Sequence, residues 1–311
     1  MSTQQAPRPT IATPGSGRES RMVIIAAIVT VVLWASAFVV IRSVGEHFGP
    51  GSMALLRMMV GSIVLGLIAV VMRVRLPRWR DLPLIAVWGI AWFGLYNLAL
   101  NGAEVDLDAG TTAMIVNIAP LFVVLLAGLI LREGFPRPLV FGAPLAFIGV
   151  TLIASGSWTG DFALRGVLLA FGAAVLYAGA ALLQKRLLRN TNATSLTFTG
   201  AAAGTVMLLP WSGEMFADIV HAPLSATLGV VYLGVFPTAI AFTTWAYVLS
   251  RTTAGKTVAT TYVVPALVLL MSWFFLAEVP TPIMLLGGAL CLGGVFITRL
   301  PSRRGARNVR D

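Results

Sequence analysis

Ten stretches of the chain are each long and apolar enough to cross a hydrocarbon core of ~30 Å, which takes about 20 mostly apolar residues in a helix. They lie near 22–41, 52–72, 82–101, 110–131, 138–155, 164–187, 195–211, 226–249, 255–277 and 282–299, and are numbered here as spans 1 to 10. The connections are short, and "FGPG", "RVRLPRWRD", "REGFPRP" and "EVPTP" carry the Gly and Pro that mark turns. None could house a separate soluble domain. Within lipid each backbone group must be paired inside the segment, so runs of this length are read as helices. The expected fold is an all-α polytopic membrane protein with ten transmembrane helices.

Composition agrees. Of 311 residues, 58% are hydrophobic and 11% charged, with mean hydropathy +0.88, whereas a soluble domain has about a quarter of its residues charged. A net charge of +10 would suit a nucleic-acid binder, but such proteins gather Lys and Arg on one face of a soluble fold. Here they sit between apolar runs, so the lipid bilayer is the expected partner and nucleic acid is not. Cys291 is the only cysteine and lies in an apolar run, leaving neither an intramolecular disulfide nor a cysteine-based zinc site. No metal or other cofactor is expected. Arg21 ahead of an apolar stretch, with "ASA" at 35–37, imitates a secretory signal, but the run continues through Ile41, too long for a signal core. Residues 1–21, rich in Pro, Ser, Thr and Gly, read as a disordered cytoplasmic tail, and 300–311 as a basic one.

Counting Lys and Arg on alternate sides tests the number of spans. One side collects 19 of 22, in groups around Arg8–Arg21, Arg73–Arg80, Arg132–Arg137, Lys185–Arg189, Arg251–Lys256 and Arg299–Arg310. The other has Arg42 and Arg165, while Arg57 falls inside span 2, and its loops are acidic, with Glu46, Glu104, Asp106, Asp108, Asp161, Glu214, Asp218 and Glu278. By the positive-inside bias both termini are cytoplasmic and the span number is even. The expected location is the inner membrane.

The chain also repeats itself. Shifting "NIAPLFVVLLAGLILREG" at 117–134 by 145 residues lands on "YVVPALVLLMSWFFLAEV" at 262–279, with Pro120 on Pro265 and Glu133 on Glu278. The same shift carries Ala109-Gly110 onto Ala254-Gly255, Gly142 onto Gly287 and Gly149-Val150 onto Gly294-Val295. Earlier, a shift of 143 places Trp34 on Tyr177 and Arg42 on Lys185. A five-helix unit is duplicated, over 22–155 and 164–299. Five is odd, so the second copy enters the membrane inverted, as the acidic "NGAEVDLDAG" and its basic counterpart "SRTTAGKT" indicate. Inverted repeats are a hallmark of transporters, with substrate bound near the midplane between them.

Two five-helix repeats, "LWASAFVVIR" at 33–42 and "LLRMMVG" at 55–61 resemble the drug/metabolite transporter superfamily, in particular its EamA-type exporters. The likeness covers nearly the whole chain beyond residue 21, and within the family the chain resembles the bacterial amino-acid exporters of the aromatic-amino-acid and threonine type. The resemblance implies export of amino acids or similar small metabolites.

Candidate cavity residues follow from position. Trp34, Trp92 and Tyr177 fall near span centres, where the interfacial belt that accounts for Trp79, Trp158 and Trp211 does not apply. Span 3 places Trp88, Trp92 and Tyr96 on one stripe, with Asn97 and Asn101 adjoining, a pattern that suits either core packing or an apolar lining with a few hydrogen-bonding groups. Trp245 in span 8 is a further candidate. Pro120 and Pro265 are expected to kink spans 4 and 9, freeing the carbonyls of Val116 and Thr261, with Asn117 and Tyr262 beside them. Arg57 is the only charge clearly inside a span, a contact for a substrate carboxylate or a snorkelling structural residue. Gly200 with Gly204, Gly142 with Ala146, and Ala289 with Gly293 read as close helix packing.

No carboxylate is expected deep in a span. The small multidrug members of the resembled superfamily use a first-helix glutamate where this chain reads "LWASAF". An uncharged or zwitterionic substrate therefore fits better than a permanent cation, with facilitated diffusion or coupling through a less obvious group. The expected function is a monomeric alternating-access exporter of amino acids. A lipid or cationic-drug exporter is the alternative. A polytopic enzyme fits poorly, since HExxH, GxSxG, intramembrane His and paired intramembrane Asp are all missing, and in "SRTTAGKT" Ser250 replaces the first Gly of a phosphate loop.

Overall fold

Sidedness in the molecule is set by its connections, so its two ends are called here the acidic and the basic end. The structure is a computed structural model that describes residues 17–123, 137–156, 161–252, 257 and 260–297. Those residues are helical with short connections and contain no strand. Gly17–Val44, Pro50–Val71, Leu82–Asp106, Asp161–Leu187, Ala193–Leu208 and Leu224–Arg251 occupy spans 1, 2, 3, 6, 7 and 8. Arg137–Gly156 and Pro282–Ile297 occupy spans 5 and 10. Large apolar side chains such as Leu67, Val70, Leu168, Trp273 and Phe274 face outward. In a chain this poor in charge they offer surface to lipid tails.

The chain is an all-α membrane protein of ten spans in two inverted five-helix repeats, and the repeats interlock. Span 3 packs on spans 6 and 7 of the second repeat, while span 8 packs on spans 1 and 2 of the first. The crossing of spans 5 and 10 shows the pseudo-two-fold most directly. A Cβ on Gly149 would lie 2.4 Å from the Cys291 nitrogen and 2.5 Å from the Gly287 oxygen. A Cβ on its repeat mate Gly294 would lie 2.4 Å from the Ala146 nitrogen and 2.6 Å from the Gly142 oxygen. Only a hydrogen at both positions lets the two backbones approach this closely. Gly200 and Gly204 are likewise internal, against Trp88 and Phe93, whereas a Cβ on Gly293 would meet nothing within 4 Å among the described residues.

Several elements differ from the sequence expectation. Spans 3 and 8 each contain a π-helical segment, Ile90–Leu95 and Gly234–Ile240, at equivalent places in the repeats. A π turn widens the helix by one residue and leaves carbonyls poorly paired. In span 3 the Asn97 amide nitrogen answers them, donating to the Trp92 and Phe93 carbonyls at 3.2 and 3.0 Å. In span 8 the widened segment accommodates Pro237, which has no N–H to contribute.

Spans 4 and 9 are broken just before their prolines rather than kinked at mid-helix. Ala109–Val116 ends at Asn117, Asn117 and Ile118 form a turn, and Pro120 stands in the first turn of the helix that resumes at Ala119. In span 9 a 3-10 turn, Thr260–Val263, precedes Val264–Leu276, with Pro265 again in the first turn. That is where proline costs least, since the first N–H groups of a helix have no partner within it. The remainder of span 4 with Glu133, and the Tyr262 side chain, lie outside the described residues.

The connection after span 7 holds a short amphipathic helix, Ser212–His221, that the sequence reading treats as loop. The N-cap of span 2, Gly49, has no side chain to cap with. Asp218 of this short helix substitutes, accepting from the Gly49 N–H at 3.0 Å and from the Ser52 hydroxyl. Burial and the neighbouring Asp218 push the Glu214 carboxyl above its ordinary range.

Candidate functional site

Helices from both repeats converge on one narrow cavity at the middle of the bundle. Span 1 contributes Trp34, Ala37 and Phe38, and span 3 contributes Trp92, Tyr96 and Leu100. Tyr177 comes from span 6 and Phe242 from span 8. The breaks in spans 4 and 9 bring Val116, Asn117, Thr261 and Val264 to the same wall. The repeat mates Trp34 and Tyr177 meet edge to face, with ring centroids 6.2 Å apart. Trp92 is tilted against Tyr177 at 5.6 Å and stands edge-on to Phe242 at 5.3 Å. The cavity holds about 40 Å³, room for roughly two or three waters, whereas sites for organic ligands run to ~300 Å³ or more.

Two polar groups in this aromatic wall are not used up by the fold. Arg57 is 3% exposed and donates from Nε to the Thr238 hydroxyl in the π segment of span 8 at 2.9 Å, so it does not snorkel. Its Nη1 has no hydrogen-bond partner among the described residues. Asn117 donates its amide nitrogen back to the Ala113 carbonyl at 2.9 Å, leaving Oδ1 buried and without a partner among the described residues. A donor and an acceptor are thus held ready in a setting where an unmet polar atom costs several kcal/mol.

Other expected lining residues stand apart. Asn97 is turned into its own helix, as described above. Asn101 donates to the Pro50 carbonyl at 3.1 Å and borders a different cavity. Trp245 lies behind the wall, 4.9 Å from the Trp34 ring, with its indole N–H on Gln184 at 2.9 Å. Alternation and stripes find aromatics near a bundle centre. They do not say which polar atoms a π turn consumes.

Like contacts stand toward the two ends of the bundle. At the acidic end Arg42 donates from Nη1 to the Glu104 carbonyl at 2.9 Å and from Nε to the Glu278 carboxylate at 3.0 Å. The left-handed Ala277, φ 56°, ends span 9 and precedes Glu278. At the basic end Lys185, the repeat mate of Arg42, donates to the Leu249 and Thr252 carbonyls at 2.6 and 2.7 Å. Leu249 is the 145-residue mate of Glu104, so the two latches are one construction used twice.

A second cavity, of about 590 Å³, opens at the acidic end above the first. Its lining residues Ile41, Met53 and Glu104 are each one helical turn, about 6 Å, from Ala37, Arg57 and Leu100 of the central cavity. Glu104, read from the sequence as a loop residue, stands in the last turn of span 3, which continues as helix to Asp106. It is 3% exposed, and both carboxyl oxygens lack a hydrogen-bond partner among the described residues.

Inverted repeats enclosing a cavity at their interface define a multi-pass membrane transporter. The comparisons with known proteins give the particular group: the EamA-like transporter family model matches residues 21–155 and again 164–300, and the chain belongs to that family. A relative from Streptantibioticus cattleyicolor, described as a probable terminal-alkyne amino-acid exporter, is 37% identical, over 88% of this chain and 91% of its own. The uncharacterized transporter YdfC of Bacillus subtilis is 36% identical, over 86% and 88%. A probable amino-acid metabolite efflux pump of Salmonella typhimurium is 22% identical, over 87% and 92%. A crystal structure at 21% identity has the same fold, with TM-score 0.64 over 91% of this chain and 99% of the other.

Proposed function

We propose that the protein exports amino acids across the inner membrane by alternating access, with both termini cytoplasmic and the acidic end outside. The observation that carries this reading is that Arg57 Nη1 and Asn117 Oδ1, both unpartnered among the described residues, line the same largely aromatic and aliphatic cavity between the repeats. A zwitterion meets both needs: its carboxylate takes the guanidinium N–H groups, and its ammonium donates to the amide oxygen and faces aromatic rings. The side chain of the substrate then lies among Trp34, Trp92 and Tyr177, which favours neutral and aromatic amino acids. The names of the two amino-acid exporters among the relatives support the same class. A permanently cationic drug is disfavoured, because among the described residues the one charged group on the cavity wall is Arg57.

The test is a counterflow panel with the purified protein in liposomes. Neutral and aromatic amino acids are expected to compete with a labelled one, and basic amino acids to compete weakly. Transport of a quaternary-ammonium compound, or lipid scrambling, with no amino-acid counterflow would overturn the proposal.

A further inference from the structure

Glu104 has no assigned role in the reading above, and the way it is held calls for a ligand. A carboxylate buried without a donor is unfavourable by several kcal/mol unless a positive charge neutralises it. Two cations are near but neither donates to the carboxyl oxygens: Arg42 gives its Nε to Glu278 and its Nη1 to the backbone oxygen of Glu104, and Arg57 gives its Nε to Thr238. The other charged groups facing this region, Glu278, Asp108 and the cavity-lining Glu46, are negative and deepen the need. Asn101 stands one turn before Glu104, on the same helix face and bordering the same cavity. Its Oδ1 is buried and also has no partner among the described residues.

We propose that Glu104 and Asn101 form a site for a small monovalent coupling cation, a proton or a sodium ion, reached from the acidic end. An acid proton satisfies the carboxyl directly and is donated to the amide oxygen. A sodium ion takes the same oxygens as hard ligands. The place of the site gives it a consequence for transport, because Glu104 supplies the carbonyl that Arg42 latches onto and lies one turn from the lining of the substrate cavity. When the cation leaves, the charged carboxylate competes with Glu278 for Arg42, and the Arg42–Glu278 half of the latch, which ties span 9 to span 1, is loosened. Cation occupancy and closure of that end are thereby linked.

The inference uses the transport reading only in its second half, and the two tests separate accordingly. The first needs no substrate: infrared difference spectra of the purified wild type, between acidic and alkaline buffer and between sodium and choline buffer, compared with Glu104→Gln. A carboxyl band that responds to one of the two cations and is lost in Glu104→Gln is expected, and the responding cation names the ligand. No cation-dependent carboxyl band in the wild type, or the same band in the variant, overturns the site. The second test imposes a proton or a sodium gradient on liposomes containing the protein and labelled amino acid. Stimulation of flux by the cation named in the first test is expected, with loss of stimulation in Glu104→Gln. Wild-type flux indifferent to both gradients overturns the coupling role, and a failed amino-acid assignment leaves the infrared result standing.

Discussion

Arg57 can occupy the middle of a lipid-embedded bundle because Thr238 takes one of its N–H groups and the cavity takes the rest. In the proposed function its charge serves the ligand more than the fold. Replacing it with Met removes a charge-assisted contact worth roughly 1.5–3 kcal/mol, so the apparent KM for amino acids is expected to rise about ten- to a hundredfold in liposome counterflow. Thr238→Val removes only the tether and leaves Nη1 in place, and a smaller rise is expected. Equal KM values in the wild type and Arg57→Met would show that the guanidinium does not touch substrate. That Arg57 is special was legible in the sequence, since it is the only charge well inside an apolar run. Its direction was not, because one span cannot tell which neighbour will offer a hydroxyl. Glu104 was read as a loop residue, and only the continuation of span 3 past 101 places it in the helix.

At the level of elements, length and hydrophobicity locate the spans well, because crossing lipid demands both. The interior of each span is harder to read. The two π segments have no common sequence mark: one contains Trp92 and Gly94, the other Pro237, and their equivalence shows only when the repeats are superposed by number. Pro120 and Pro265 do mark breaks, but as first-turn residues of new helical segments, so the preceding turn is the discontinuity. Small residues are the other legible signal, and here position decides their cost. A valine at Gly149 would drive its Cβ into the backbone of span 10, and overpacking of this kind costs on the order of 3 kcal/mol. The thermal midpoint of Gly149→Val in detergent is expected to fall clearly below that of the wild type. Gly293→Ala, in a helix interior with open space around it, is expected to hold or raise the midpoint, by about 1 kcal/mol in stability. Identical melting of the two variants would refute the close crossing.

For the whole molecule, the inverted repeat means that each closing contact exists in two versions, one per side of the membrane. Among the described residues, the Arg42 latch also engages a carboxylate, Glu278, and the Lys185 latch engages carbonyl oxygens. Lys185→Met removes two charge-assisted hydrogen bonds at one side only, on the order of 3 kcal/mol, and shifts the ratio of the two open forms by about a hundredfold. Single cysteines placed beside each latch, in a Cys291→Ala background, report this through labelling by a membrane-impermeant maleimide. Faster labelling at the basic end, with unchanged or slower labelling at the acidic end, is expected of Lys185→Met; equal acceleration at both ends would mean a loosened bundle instead. In the proposed cycle the pair of latches works as the two pans of a beam balance. The side on which the protein rests would then be an adjustable quantity, set by a few hydrogen bonds at the rims and separate from what the centre recognises.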